Sequence, residues 1–373
     1  METTPLAPPP PAYEETSLQG VDHIEFFVGN ARQAAHYYRS AFGFDVVAYA
    51  GPETGVRDRA SYVLRQGRVA LVMTAPLGPG GEIADQVRRH GDGVRTLALQ
   101  VRDVDAAHHD AISRGARSVE EPHSVEDRRG SVRLSTVRTF GDTVHTFVDR
   151  AEYQGAFLPG YREERRDGGG AGLALVDHCV CNVELGRMDE WVDWYRRVFG
   201  FDVFQEFDER DIATQYSALR SKVVRGGRQG SVTFPINEPA QGLRRSQIQE
   251  YLDYYHGPGV QHIALHSDDI VESVGRLRRQ GAEFLRAPDA YYRELPDRIG
   301  PIDEDLDRLR SLDVLVDRDA HGYLLQIFTR PVADRPTLFF EVIQRKGSRG
   351  FGKGNFKALF EAIEREQAER GNL

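Results

Sequence analysis

Three residues in the second half of the chain have the types and settings to hold a metal ion. His178 and His262 stand in short stretches rich in β-branched and apolar residues, and Glu341 stands inside the run LFFEVI at 338–343. A carboxylate in such a run is costly to bury unless it is ion-paired or bound to a cation. Arg345, four residues further on, is a candidate ion-pair partner. A metal is the other candidate. Two neutral imidazoles and one carboxylate form the ligand set that holds Fe(II) on one face and leaves positions open for a substrate and O2.

The alternation around these residues calls for strands. His178 shares a face with Val180 and Asn182, His262 with Ala264, and Glu341 with Phe339 and Ile343. The surrounding elements occur twice. Residues 21–28 (VDHIEFFV) lead through a helical stretch to FGFDV at 42–46, and residues 176–183 (VDHCVCNV) lead the same way to FGFDV at 199–203. A second block also recurs. GDGVRTLAL at 91–99 precedes a helix ending at RGA, 114–116, and GPGVQHIAL at 257–265 precedes one ending at QGA, 280–282. In the second half, residues 187–199 place Met188, Trp191, Tyr195 and Val198 on one helical stripe that Gly200 stops. A further helix is expected over 269–280, with strands over 203–207, 231–234, 312–317, 323–329 and 337–343. Residues 355–370 carry Phe356, Leu359, Phe360 and Ile363 on one helical face, with Glu361, Glu364, Arg365 and Glu369 turned to solvent. Strand–helix modules followed by consecutive strands define an α+β protein with curved, mainly antiparallel sheets.

The repeat also tests the metal reading. His178 maps to His23, His262 to Thr96, and Glu341, by strand order, to Phe147. One ligand of three survives, so the first half reads as a structural copy and His23 as a structural histidine. His108 and His109 are adjacent on a helix and face apart. His36, His90, His123, His256, His266 and His321 read as loop or surface positions, and His145 as a weaker candidate ligand.

The charge balance excludes some partners. Lys and Arg total 48 against 57 Asp and Glu, a net charge of −9 over 373 residues, which disfavours nucleic acid. No run approaches the ~20 apolar residues of a membrane span. Cys179 and Cys181 are the only cysteines, two apart on one strand face. They read as buried thiols in a reducing, cytoplasmic protein, not as a disulfide or a zinc site. The expected division is a proline-rich tail (1–19) without signal-peptide character, a first domain (20–160), a charged, glycine-rich linker (161–172) and a second domain (173–373).

Further motifs carry a resemblance. FPINEP at 234–239, SQIQ at 246–249, GVQHIAL at 259–265, GYLLQIFT at 322–329, FFEVIQR at 339–345 and GFGKGNFKALF at 350–360 together resemble the 4-hydroxyphenylpyruvate dioxygenase family. The likeness spans nearly the whole chain after the tail and is strongest from residue 176 onward. It implies the vicinal-oxygen-chelate fold of glyoxalases and bleomycin-resistance proteins: βαβββ modules paired into open barrels around Fe(II), here on His178, His262 and Glu341. It implies conversion of 4-hydroxyphenylpyruvate and O2 into homogentisate and CO2 by a homo-oligomer, dimer or tetramer. Carried over by position, Ser221, Asn237, Gln247, Gln261 and Gln326 become the polar groups of the pocket. Pro235, Phe328, Phe339, Phe351, Asn355, Phe356 and Leu359 become its substrate-contacting wall. The glycines at 350–354 lack phosphate-loop spacing and read instead as a hinge for a gating helix over 355–370. Three alternatives stay open: 4-hydroxymandelate synthase, which hydroxylates the benzylic carbon of the same substrate; an extradiol catechol dioxygenase; and a metal-free binding protein of the same fold.

Overall fold

The computed structural model describes residues 18–208, 218–240 and 242–372. Most of the expected tail lies outside the described residues, and its last two positions, Leu18 and Gln19, already belong to a strand.

Among the described residues, the first half of the chain supplies one sheet of nine strands: β1 (Leu18–Phe27), β2 (Asp45–Ala50), β3 (Arg59–Gln66), β4 (Val69–Pro76), β5 (Gly93–Val101), β6 (Ser118–Asp127), β7 (Gly130–Arg138), β8 (Val144–Asp149) and β9 (Arg162–Arg166). The second half supplies one of eight: β10 (Leu173–Asn182), β11 (Asp202–Phe207), β12 (Leu219–Gly226), β13 (Val232–Pro239), β14 (Gly259–Ser267), β15 (Leu315–Asp319), β16 (Gly322–Phe328) and β17 (Phe339–Lys346). The spatial orders are β6-β7-β8-β5-β1-β4-β3-β2-β9 and, read from the matching edge, β15-β16-β17-β14-β10-β13-β12-β11. Apart from β9, the second order repeats the first strand for strand. In each sheet two four-strand modules meet through one antiparallel pair, β1 with β5 and β10 with β14.

Helices α1 (Ala31–Phe42), α2 (Glu82–His90) and α3 (Val104–Ser113) belong to the first half. Helices α4 (Met188–Phe199), α5 (Gln247–Tyr255), α6 (Ile270–Arg279), α7 (Asp289–Ile299), α8 (Leu306–Ser311) and α9 (Phe356–Glu369) belong to the second. The repeated FGFD motif is a helix stop. Gly43 and Gly200 end α1 and α4 at φ 74° and 65°, a left-handed geometry that glycine adopts without steric cost. Helix α4 has no side-chain cap of its own. Glu238 of β13 accepts from the backbone N–H of Gly186 and Met188 instead, which ties the helix to the sheet.

An apolar core runs through both halves, with Tyr38 and Phe42 of α1 packed on Phe340 of β17. No helix among the described residues is long and apolar enough to cross a membrane.

Several local expectations are corrected. Residues 162–166, read as linker, pair with β2 as the ninth strand. The strand expected at 312–317 begins at Leu315, because residues 306–311 are helical and Asp313 turns at φ 57°. Glu364 on α9 is buried, although its neighbours Glu361 and Arg365 face outward. His90 is also buried, stacked on Tyr255 and paired with Asp142 at 2.9 Å.

Candidate active site

His178, His262 and Glu341 stand on three adjacent strands, β10, β14 and β17. Across them Ala264 lies opposite both His178 and Glu341, and His262 is two residues along from Ala264 on the same face. The side chains therefore converge. His178 Nε2 is 3.3 Å and His262 Nε2 is 3.5 Å from Glu341 Oε2, and all three are buried. One donor atom from each lies within 4.8 Å of the others. Ligands ~2.1 Å from an ion on neighbouring corners of an octahedron stand about 3 Å apart, so this spacing suits a small divalent cation.

The electrostatics agree. Burial opposes charge on His178, but the Glu341 and Asp177 carboxylates outweigh it and push its pKa up to about 9. Burial holds His262 below the ordinary histidine value. Burial works against the Glu341 carboxylate, yet the two imidazoles beside it keep its pKa below the usual value. A site that draws a proton to His178 is short of positive charge, and a divalent cation supplies it.

Each histidine is oriented by the residue before it. His178 Nδ1 lies 2.7 Å from Asp177 Oδ1, and His262 Nδ1 lies 3.1 Å from Gln261 Oε1. A register shift in β10 between Val176 and His178 interrupts the alternation, so Asp177 and His178 lie side by side instead of on opposite faces. Arg345 does not pair with Glu341. Its guanidinium grips Asp177 through Nε at 2.8 Å and Nη2 at 2.7 Å.

The trio opens on a cavity. Ser221, Asn237, Gln247, Gln261 and Gln326 line it, as do Pro235, Phe328, Phe339, Phe351, Phe356 and Leu359. Asn355 does not. It is fully buried at the start of α9, where its Oδ1 accepts from the Tyr291 hydroxyl at 2.7 Å and from Arg298 Nη2 at 3.2 Å. The lining also includes Val180, Phe207, Leu219, Val223 and Phe360, which sequence reasoning had not named for it. Val180 could have been found, since it shares the His178 face. Cys179 and Cys181 are buried free thiols whose pKa values burial pushes up.

Among the described residues, His23 has no metal-binding company. Its strand β1 lies beside β5, and the register of β5 with β8 makes Thr146, not Phe147, the counterpart of Glu341. His145, next to Thr146, is a core residue: Nδ1 meets Leu97 O at 2.9 Å and Nε2 meets the Tyr195 hydroxyl at 2.8 Å.

Residues 175–327 match the model of the Glyoxalase/Bleomycin resistance protein/Dioxygenase superfamily, and residues 13–158 match that of the N-terminal region of hydroxyphenylpyruvate dioxygenase. With the duplicated half-barrels and the buried His–His–Glu set, these matches define a dioxygenase of the vicinal-oxygen-chelate class. The 4-hydroxyphenylpyruvate dioxygenase of Dictyostelium discoideum is 48% identical over 95% of this chain and 100% of its own length. That of Danio rerio is 48% identical over 94% of this chain and 91% of its own. The chain belongs to the 4-hydroxyphenylpyruvate dioxygenase family. A solved triple mutant of 4-hydroxymandelate synthase from Streptomyces coelicolor is also similar, with a TM-score of 0.83 at 36% identity over 94% of this chain and 99% of that one.

Proposed function

We propose that this chain converts 4-hydroxyphenylpyruvate and O2 to homogentisate and CO2, with Fe(II) held by His178, His262 and Glu341. The observation that carries the reading is a buried His–His–Glu set opening on a cavity walled by phenylalanines and amides. When bound, the iron would chelate the substrate's 2-oxo acid and activate O2.

The remaining work falls to the chain itself. Glu341 cancels one of the ion's two charges, so the site keeps a net attraction for an anionic 2-oxo acid. Gln326 Oε1 is buried without a partner, an acceptor suited to a substrate hydroxyl. Asn237, tethered to Asn182 at 3.4 Å, joins Ser221, Gln247 and Gln261 as polar contacts. Phe328, Phe339, Phe351 and Phe356, with Pro235 and Leu359, clasp the ring. Helix α9 covers the cavity and excludes water during turnover. Asn355 acts at one remove by fixing the start of that helix.

In this reading residues 173–373 form the catalytic domain, and residues 20–160 a structural copy that holds no metal. The enzyme acts in the cytoplasm as a homo-oligomer. The two buried thiols support a reducing compartment.

The test is anaerobic loading with Fe(II), addition of 4-hydroxyphenylpyruvate, and measurement of O2 uptake, CO2 release and product. Homogentisate with one CO2 per O2 is expected. 4-Hydroxymandelate would instead assign the activity of the Streptomyces neighbour. An iron-loaded chain that consumes neither O2 nor substrate overturns the reading.

A further inference from the structure

Asp177 is more than a neighbour of His178. Its Oδ1 accepts the Nδ1 hydrogen of His178, so the lone pair that a cation would take is the one on Nε2, the atom that faces Glu341. Arg345 locks Asp177 through a two-pronged contact at 2.8 and 2.7 Å. The same guanidinium donates through Nη1 to Gly350 O at 2.6 Å and lies 5.5 Å from the Phe351 ring centre. Phe351 closes the circuit, standing edge-on to His178 at 5.1 Å. Gln261 orients His262 with a neutral amide and no such lock.

We propose that Asp177, fixed by Arg345, is a positioning residue that aims His178 at the metal and sets the metal affinity of the site. The inference rests on the metal reading given above. A carboxylate on Nδ1 makes Nε2 a stronger donor than an amide does, and the fork of Arg345 stops that carboxylate from turning away. The clamp also joins the ligand strand to the loop carrying Phe351, so one arginine positions a metal ligand and a wall of the substrate cavity.

A structural role alone is the rival explanation, and the duplicated half states it in atoms. There Asp22 Oδ1 lies 2.6 Å from His23 Nδ1, and Arg150 grips Asp22 through Nε at 2.7 Å and Nη2 at 2.5 Å. Arg150 lies 5.3 Å from the Phe157 ring, and Phe157 stands edge-on to His23 at 5.0 Å. The strand shift is shared too, falling between Val21 and His23 in β1. Thr96 and Thr146 replace the other two ligands, so this copy of the clamp serves folding only. It is a matched control inside the same chain.

The experiment compares Asp177→Asn with Asp22→Asn in the full-length protein, using Co(II) as the probe. Calorimetry gives the Kd, and the visible ligand-field bands report the ligand geometry. Asp177→Asn is expected to weaken Co(II) binding by roughly 10- to 100-fold and to move the bands. Asp22→Asn is expected to leave both unchanged, whatever its effect on Tm. Arg345→Lys keeps the charge without the fork and is expected to weaken binding in the same direction, and it carries the test if Asp177→Asn does not fold. A Kd and spectrum in both second-half variants equal to those of Asp22→Asn would overturn the clamp while leaving the metal site intact. Failure of the unmodified protein to bind Co(II) would overturn the metal reading, and the clamp with it.

Discussion

Ala264 is the residue that lets the three donors meet. It stands between His178 and Glu341 on the intervening strand, with no exposed surface. Alternate strands lie almost 10 Å apart, so the two side chains must close over it. A methyl leaves room, and a branched side chain would fill the space where the donors converge. Ala264→Leu is therefore expected to fold, since Leu suits a buried strand, yet to weaken Co(II) or Fe(II) binding by at least tenfold, as loss of ligand alignment does. Calorimetric titration reads it, and an unchanged Kd would show that the ion sits elsewhere. The trio was legible because strand alternation has a period of two and each ligand sits in a run too apolar to bury it without cause. The Asp177–Arg345 contact was not legible. Its partners are 168 residues apart, and the strand irregularity that brings Asp177 beside His178 leaves no mark in the pattern.

Helix α9 and the turn before it form the element that shapes the cavity mouth. Gly352 has φ 75°, and a Cβ there would fall 2.0 Å from Gln326 Oε1. Two costs follow for Gly352→Ala: about 1–2 kcal/mol for a left-handed alanine, and displacement of a side chain that lines the cavity. Gly371 has φ 72° with nothing near its Cβ position, so Gly371→Ala carries the backbone cost alone. Both variants are expected to lower Tm, but only Gly352→Ala is expected to lower kcat/KM, by roughly 10- to 100-fold for a misplaced contact. Equal kinetics in the two would remove Gln326 from the set of substrate contacts. The apolar stripe of α9 was readable from its spacing. The burial of Glu364 and the withdrawal of Asn355 from the cavity were not, because both depend on which neighbours the helix meets. Asn355 is claimed by Tyr291 and Arg298 of α7, a helix for which the sequence offers no repeat counterpart.

At the scale of the molecule, duplication explains both what the sequence revealed and where it misled. The two sheets share one strand order, so the repeated motifs located equivalent strands correctly. They could not fix register: a slip of one residue exchanges Phe147 for Thr146 and turns the side chain to the other face. His145, expected as a weaker candidate ligand, instead joins the two halves. Its ring meets the Tyr195 hydroxyl at 2.8 Å and stacks on Trp194 and Phe234 of the second half. Burial lowers its pKa to about 4. The unfolded chain holds this proton near pH 6.5, so between pH 6.5 and 4 the unfolded state binds more protons than the folded one. Stability from neutral His145 is therefore complete above pH 6.5 and is lost as pH falls toward 4, by up to about 3 kcal/mol. Below pH 4 both states carry the proton and this loss stops. His145→Gln cannot titrate, so it is expected to be less stable than the unmodified protein at pH 7 and to lose most of that disadvantage by pH 4. Urea midpoints measured across this range read the difference. A stability gap that stays constant with pH would mean that His145 titrates alike in the folded and unfolded chain, and that burial between the halves does not hold its ring neutral.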